Sequence, residues 1–327
     1  MKSHGTMTRI FSLLLLLSSA LPALAWNHTG HMVVSELAWR NLSASKRNAI
    51  LNLLKQHPHY ALLLASKVPA GVDTNEWVFL NASVWPDMVR PARGNAPEKS
   101  SDVTKYHHSQ WHYINIPFVL PAAASHLSAS SFSIPATNIL SALTNNLNAL
   151  KDSSIPAADR AVSLCWVLHL IGDLHQPLHA ATLLSDTYPT GDMGGNSLAV
   201  VDSSQVPLNL HSFWDQLLDT GDSYEFVAET ANSISRSPQY DPRNLPEFTS
   251  HSTIQSWADE SFSAAVTFAY AEGSLKFADW RDFNSGKITA ADVPHLKSTY
   301  ILNASDVAKR RVSLSGARLA EELKKLF

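Results

Sequence analysis

The chain has 327 residues, 45% of them hydrophobic, a formal net charge of −3 and one cysteine, Cys165. That length supports one large core or two small ones, and the single cysteine excludes an intrachain disulfide. The slight negative balance, with no basic block, excludes the non-specific phosphate grip of a duplex-binding protein, so a nucleic-acid ligand would need bound cations and a few arginines.

Residues 1–25 read as a secretory signal peptide. Lys2 and Arg9 precede the apolar run 10–17, and Ala23-Leu24-Ala25 supplies a small-x-small cleavage pattern. The run is short and soon followed by Pro22, which disfavours an anchored span. Cleavage after Ala25 leaves Trp26 as a free amino terminus, one domain over 26–327, and a secreted or periplasmic protein with no membrane span. The lack of disulfides leans towards a bacterial source. Asn27, Asn41, Asn81 and Asn303 each open a glycosylation sequon.

Helical spacing of apolar residues predicts helices over 28–39, over 45–55 after a serine cap, and as a short segment within 57–71. Residues 76–88 are aromatic-rich and end in Trp85-Pro86-Asp87-Met88-Val89-Arg90, followed by a Pro/Gly/Ser loop over 91–105. Residues 110–117 read as extended, 137–150 as an amphipathic helix, and 156–173 as a long apolar helix that Pro177 ends. A Gly-rich loop over 185–197, a short strand at 197–202 and a helix at 208–218 follow. Residues 221–250 read as irregular, and helices at 253–271 and 306–326 close the chain. No internal repeat is present. The pattern predicts a mainly α, single-domain helical bundle with few short strands and ligands projecting inward.

The chemistry concentrates in His169-Leu-Ile-Gly-Asp173-Leu-His175-Gln-Pro-Leu-His179. His169 and Asp173 stand one helical turn apart on one face, and His211 and Asp215 repeat the spacing. Buried imidazoles and carboxylates need partners, and a divalent metal supplies one. Upstream candidates are His31, Asp87 and His112, each with an ordinary alternative: a surface helix residue, a turn residue after Pro86, and a satisfied strand histidine. His175, off the face of Asp173, reads as structural, and Cys165, beside Trp166, as a packed thiol.

Taken together these residues resemble the zinc-dependent single-strand-specific nucleases of fungi, plants and bacteria, the S1/P1 family. The resemblance runs through Trp26-x4-His31, Trp-Pro-Asp87-x2-Arg90, Trp-His112-Tyr113-Ile-Asn115, His169-x3-Asp173-x5-His179, Gly194-Gly195-Asn196 and Leu-His211-x2-Trp-Asp215. It implies a trinuclear zinc cleft. Asp87, His112, His169 and Asp173 would hold one Zn2+, and His179, His211 and Asp215 a second. The third would take His31, a bridging Asp173, and the amine and carbonyl of Trp26. Two cations sharing Asp173 would act on one water for in-line attack on phosphorus.

By the same resemblance Arg90 neutralises the phosphoryl oxygens. Asp87, Arg90 and Asp173 are therefore the expected catalytic group. Tyr113 would stack a base, with Gly194 and Asn196 lining its pocket and Asn115 standing where fungal members carry Asp, an amide that donates as well as accepts. The implied activity is hydrolysis of single-stranded DNA and RNA to 5′-phosphorylated products, with removal of the 3′-phosphate from nucleotides, by a monomer that forms no stable duplex complex. The alternative is zinc-dependent phospholipase C, similar in fold and three-zinc site. The short Trp26–His31 spacing and the aspartate at 215 argue for the nuclease.

Overall fold

The computed structural model describes residues 26–91, 101–218, 221 and 223–327. The expected signal peptide and part of the 91–105 loop lie outside them.

Asn27 caps the first helix, α1 (His28–Arg40), its side chain accepting from the Gly30 amide at 2.9 Å. Every α1 residue from Thr29 to Trp39 is buried, the signature of a helix enclosed on all sides. Around it pack α3 (Thr74–Met88), α6 (Ala157–Leu174), α8 (Tyr224–Arg236) and α12 (Ser298–Leu326), with α2 (Ala44–Leu54) lying against α3 and α6. Contact between α1 and α12 requires Gly316, where an added Cβ would stand 2.6 Å from the Leu37 Cβ and 3.1 Å from the Val34 carbonyl. Asp73 caps α3, and Pro86 lies in its last turn, where the missing N–H helps to end the helix. Two short helices, α4 (Ser101–Tyr106) and α5 (Ile139–Lys151), complete this half, α5 opening on an Asn138/Ser141 capping box.

The strands are few and short. β1 (Ile116–Val119) pairs in parallel with β2 (Ala181–Leu184), in the register Ile116↔Ala181. β3 (Leu198–Val201) runs antiparallel between β4 (Pro207–Asn209) and β5 (Ala278–Asp279). The remaining helices are α7 (Leu210–Asp215), α9 (Pro246–Ser250), α10 (Ile254–Ala264) and α11 (Trp280–Asn284). The chain is mainly α with few short strands, as the sequence predicts. Among the described residues no helix is long and apolar enough to cross a membrane.

Several boundaries differ for identifiable reasons. The expected loop at 91–105 ends in α4, which docks through Tyr106 on Trp85 (ring centroids 5.3 Å apart) and through Asp102 beside His59 (3.3 Å). The irregular region at 221–250 contains α8. Its buried stripe is only Val227, Ala231 and Ile234 among polar residues, a helical period carried partly by alanine and so faint in the sequence. Within 57–71 the helical part is one wide turn, Tyr60–Leu64. The extended reading of 110–117 gives way to a 3-10 turn, Ser109–His112, before β1. The helix expected at 208–218 is the shorter α7, and the one at 253–271 leaves α geometry after Ala264 for a wide turn, Ala265–Ala269. The closing helix begins at Ser298, eight residues early. On it Arg311 and Arg318 are buried against Glu260 of α10, and Arg318 meets His175 Nε2 at 2.8 Å, which accounts for that histidine structurally. The sequon at Asn81 is buried, its amide donating to the Leu64 carbonyl.

Candidate metal centre

Six separate segments bring the candidate ligands together. α1 carries His31, the last turn of α3 carries Asp87, and the 3-10 turn before β1 carries His112. α6 carries His169 and Asp173, the turn Pro177–His179 carries His179, and α7 carries His211 and Asp215. All eight side chains are buried, so the surface-helix alternative for His31 is excluded. They form three sets able to hold a metal ion: His31, His169 and Asp173; Asp87, His112 and His169; and His179, His211 and Asp215.

Asp173 sits at the junction. Its Oδ1 lies 3.3 Å from His31 Nε2 and 3.8 Å from His179 Nδ1, while Oδ2 lies 2.9 Å from His112 Nδ1 and 3.1 Å from His169 Nε2. Elsewhere His169 Nε2 stands 3.6 Å from Asp87, His211 Nε2 3.6 Å from Asp215, and His211 Nε2 3.2 Å from His179 Nε2. Tetrahedral ligands at bonds of about 2.0–2.1 Å stand ~3.3 Å apart, so these separations suit a small divalent ion.

The ring orientations point the same way. His169 Nδ1 faces the Ser83 carbonyl at 2.8 Å, His179 Nδ1 the His112 carbonyl at 2.6 Å, and His211 Nδ1 the Gly194 carbonyl at 2.6 Å. Donation through Nδ1 leaves the Nε2 lone pair turned inward. Both ring nitrogens of His31, Asp173 Oδ1 and Asp215 Oδ2 have no hydrogen-bond partner among the described residues. Buried acceptors left this way are costly, and a nitrogen-and-oxygen donor set without sulfur fits zinc or a similar divalent cation.

Burial drives the electrostatics. It pulls His31 down to about 4, aided by His169, and His112 and His211 down to about 3, aided by Arg90 and His179 respectively. Imidazoles held neutral are competent ligands. Burial lifts Asp215 well above the carboxylate range. At Asp87 and Asp173 burial acts upward but is overcome, by Arg90 and then His169 at Asp87 (about 2) and by His169 and then His179 at Asp173.

Trp26 is wholly buried at the start of α1, and the next amide, Asn27 N–H, donates to the Asp215 carbonyl at 3.3 Å. Arg90 Nη2 lies 2.8 Å from Asp87 Oδ1 and 3.1 Å from His112 Nδ1. A cavity of about 260 Å³ opens over the cluster, lined in part by Arg90, His112, Tyr113, Asn115, Gly194 and Asn196. The expected phosphate-facing and base-facing residues therefore share one space with the metal candidates.

His107, Ser109 and Leu178 line the same cavity and were not singled out in the sequence, and Met193, which precedes the two glycines, lines it as well. Asp192 and Gln176 were also missed. Asp192 accepts from the Gly194 and Gly195 amides at 3.1 and 2.9 Å and from Tyr270, fixing the loop whose Gly194 carbonyl orients His211. Gly194 has φ +63°, and a Cβ there would fall 2.5 Å from the Leu178 carbonyl. Gln176 donates to Asp215 Oδ1 at 2.7 Å. An Asp two residues before Gly-Gly is the signal that could have found the first; for Gln176 the sequence carries none.

The family profile described as S1/P1 Nuclease matches residues 26–327. Endonuclease 1 of Arabidopsis thaliana is 22% identical over 96% of this chain and 91% of its own length. Endonuclease 5 of the same plant is 24% identical over 97% and 96%. Nuclease S1 of Aspergillus oryzae is 38% identical over a shorter stretch, 23% of each chain.

Proposed function

This chain belongs to the S1/P1 nuclease family and is a hydrolytic nuclease, and from that premise we propose that it is a three-zinc phosphoesterase. It cuts single-stranded DNA and RNA to 5′-phosphorylated products and removes the 3′-phosphate from nucleotides. The reading rests on one observation above all: eight buried imidazoles and carboxylates from six segments converge, with polar atoms of His31, Asp87, His112, Asp173 and Asp215 left unsatisfied among the described residues, under a cavity that also holds Arg90 and Tyr113.

Residues Asp87, His112, His169 and Asp173 would hold one ion, His179, His211 and Asp215 another, and Trp26, His31 and Asp173 the third. The two oxygens of Asp173, already divided between His31 and the His112/His169 pair, suit a bridging role. Bound there, zinc supplies an activated water and Lewis-acid stabilisation of the phosphoryl and leaving oxygens. Arg90 orients the phosphate through its planar fork while its contact with Asp87 holds it in place. Tyr113 stacks the base, a contact of ~1–3 kcal/mol that tolerates any base. Asn115, Gly194 and Asn196 border the base slot, and a base locked in a duplex does not reach it.

The nuclease domain occupies 26–327 and acts as a secreted or periplasmic monomer after removal of residues 1–25, which leaves the Trp26 amine free to ligate. The phospholipase alternative has no support among the named relatives, which are nucleases.

The test is phosphate release from 3′-AMP and from 5′-AMP by the mature protein, with and without chelator. Release from 3′-AMP alone, abolished by chelation and restored by zinc, is the expected result. Equal release from both nucleotides would overturn the polarity, and hydrolysis of phosphatidylcholine with neither nucleotide turned over would return the case to the lipase.

A further inference from the structure

A second polar cavity, of about 250 Å³, adjoins the catalytic one and is lined by His107, His108, Ser109, Gln110, Trp111 and Thr137. The two cavities share His107 and Ser109 in their linings, so they lie side by side. The ring of His108 lies flat on Trp111, with centroids 3.8 Å apart and planes at 21°, and Trp111 is braced by Trp166 at 4.8 Å. This is a preformed plate, and stacking on such a plate is the sequence-tolerant way to hold a base. His107 Nδ1 is closed off from solvent with no hydrogen-bond partner among the described residues. Ser109, Gln110 and Thr137 are exposed polar side chains along the groove, and among the described residues no carboxylate lines it to repel a phosphodiester.

We propose that this groove is a second nucleotide subsite and that it holds the nucleoside on the 3′ side of the cut. The direction rests on the 3′-nucleotidase reading above. Hydrolysis to a 5′-phosphate forms a bond from the water oxygen to phosphorus and breaks the bond from phosphorus to O3′, which leaves with a proton. A 3′-mononucleotide contains only the nucleoside bearing that leaving oxygen, so the Tyr113 slot serves the 5′ side. The next nucleoside, attached through its own O5′, continues past the phosphate at Arg90, and the neighbouring cavity, which meets the first at His107 and Ser109, offers it a place over residues 107–111. A mononucleotide does not occupy it, whereas a dinucleotide does.

The experiment compares kcat/KM on 3′-AMP, on the dinucleoside monophosphate ApA and on a ten-nucleotide single strand, for the zinc-loaded wild type and for Thr137→Glu, Gln110→Glu and Gln110→Lys. Both positions are exposed, and they approach the groove from different segments, so a folding defect at one does not decide the outcome. The expected result is that each glutamate lowers kcat/KM on ApA and on the decamer about fivefold, the size of one unit-charge repulsion at contact distance in water. Gln110→Lys raises it, and all three leave 3′-AMP turnover within about twofold of wild type, well under that unit-charge effect. Equal changes on all three substrates, or none on any, would overturn the subsite. A wild type that cuts the decamer but not 3′-AMP would instead sink the direction of the 3′-nucleotidase reading. The existence of the subsite would then stand or fall on the opposite charge responses of Gln110→Glu and Gln110→Lys with the decamer.

Discussion

At the scale of single residues the centre turns on Asp173. Its Oδ1 faces His31 and its Oδ2 faces His112 and His169, so in the proposed centre replacing it would remove a ligand from two ions at once. Asp173→Asn is expected to abolish turnover and to lower bound zinc by more than one ion per chain, read by metal analysis of the folded variant. Loss of a single ion with turnover preserved would refute the bridging role. The spacing of His169 and Asp173 was legible in the sequence because a helix places i and i+4 on one face. The sharing of the carboxylate was expected only through the family resemblance and not from spacing, because it depends on His31 arriving from α1 over Gly172, where a side chain would stand 2.8 Å from the His31 Nδ1.

At the scale of elements, the parallel pairing of β1 with β2 joins two motifs distant in the chain. Ile114 N–H donates to the His179 carbonyl at 2.7 Å while His179 Nδ1 donates to the His112 carbonyl. The loop at 192–196 is the third support of the site, and Asp192 is its anchor. Burial lifts its carboxyl to about 6, against hydrogen bonds from Leu183, Tyr270, Gly195 and Thr182 that pull it down. A carboxyl raised in the fold favours the folded state in its neutral form. That contribution is fully present below the unfolded value near 3.8 and is lost as pH rises through about 6. Wild type is therefore expected to lose stability relative to Asp192→Asn between pH 4 and 6.5, by up to ~3 kcal/mol, measured by urea unfolding of both proteins across that range. A difference that does not change with pH would show that the carboxylate's hydrogen bonds outweigh its burial.

At the scale of the whole molecule, no disulfide is available and the lone Cys165 is a buried free thiol. The fold is held by the core around α1 and by whatever satisfies the polar cluster at its edge. Cations that bind only the folded state add to its stability, so chelation is expected to lower the melting temperature as well as to stop turnover. The pH dependence has a definite sign. His31, His112 and His211 have folded values of about 4, 3 and 3, below the ordinary 6.5. The contribution of these three imidazoles to the stability of the chelated protein is thus fully present above 6.5 and falls as pH drops through that value towards 4. Calorimetry of loaded and chelated protein from pH 7 to 4 checks this, and full zinc retention well below pH 4 would refute ligation by these imidazoles.

What the sequence determined by itself was the mainly α class, the family and the ligand types, because helical periodicity and fixed spacings such as His169-x3-Asp173 are local properties of the chain. It did not disclose α8, whose stripe rests on Ala231, or the docking of α4 on Trp85. Nor did it disclose Asp192, Gln176 and the groove at residues 107–111. Those depend on which segments meet, and a buried carboxylate or a cleft acquires its character from neighbours tens of residues away. Only the tertiary structure decided that eight side chains from six segments leave their lone pairs facing one another under a single cavity, since burial and orientation are set by packing.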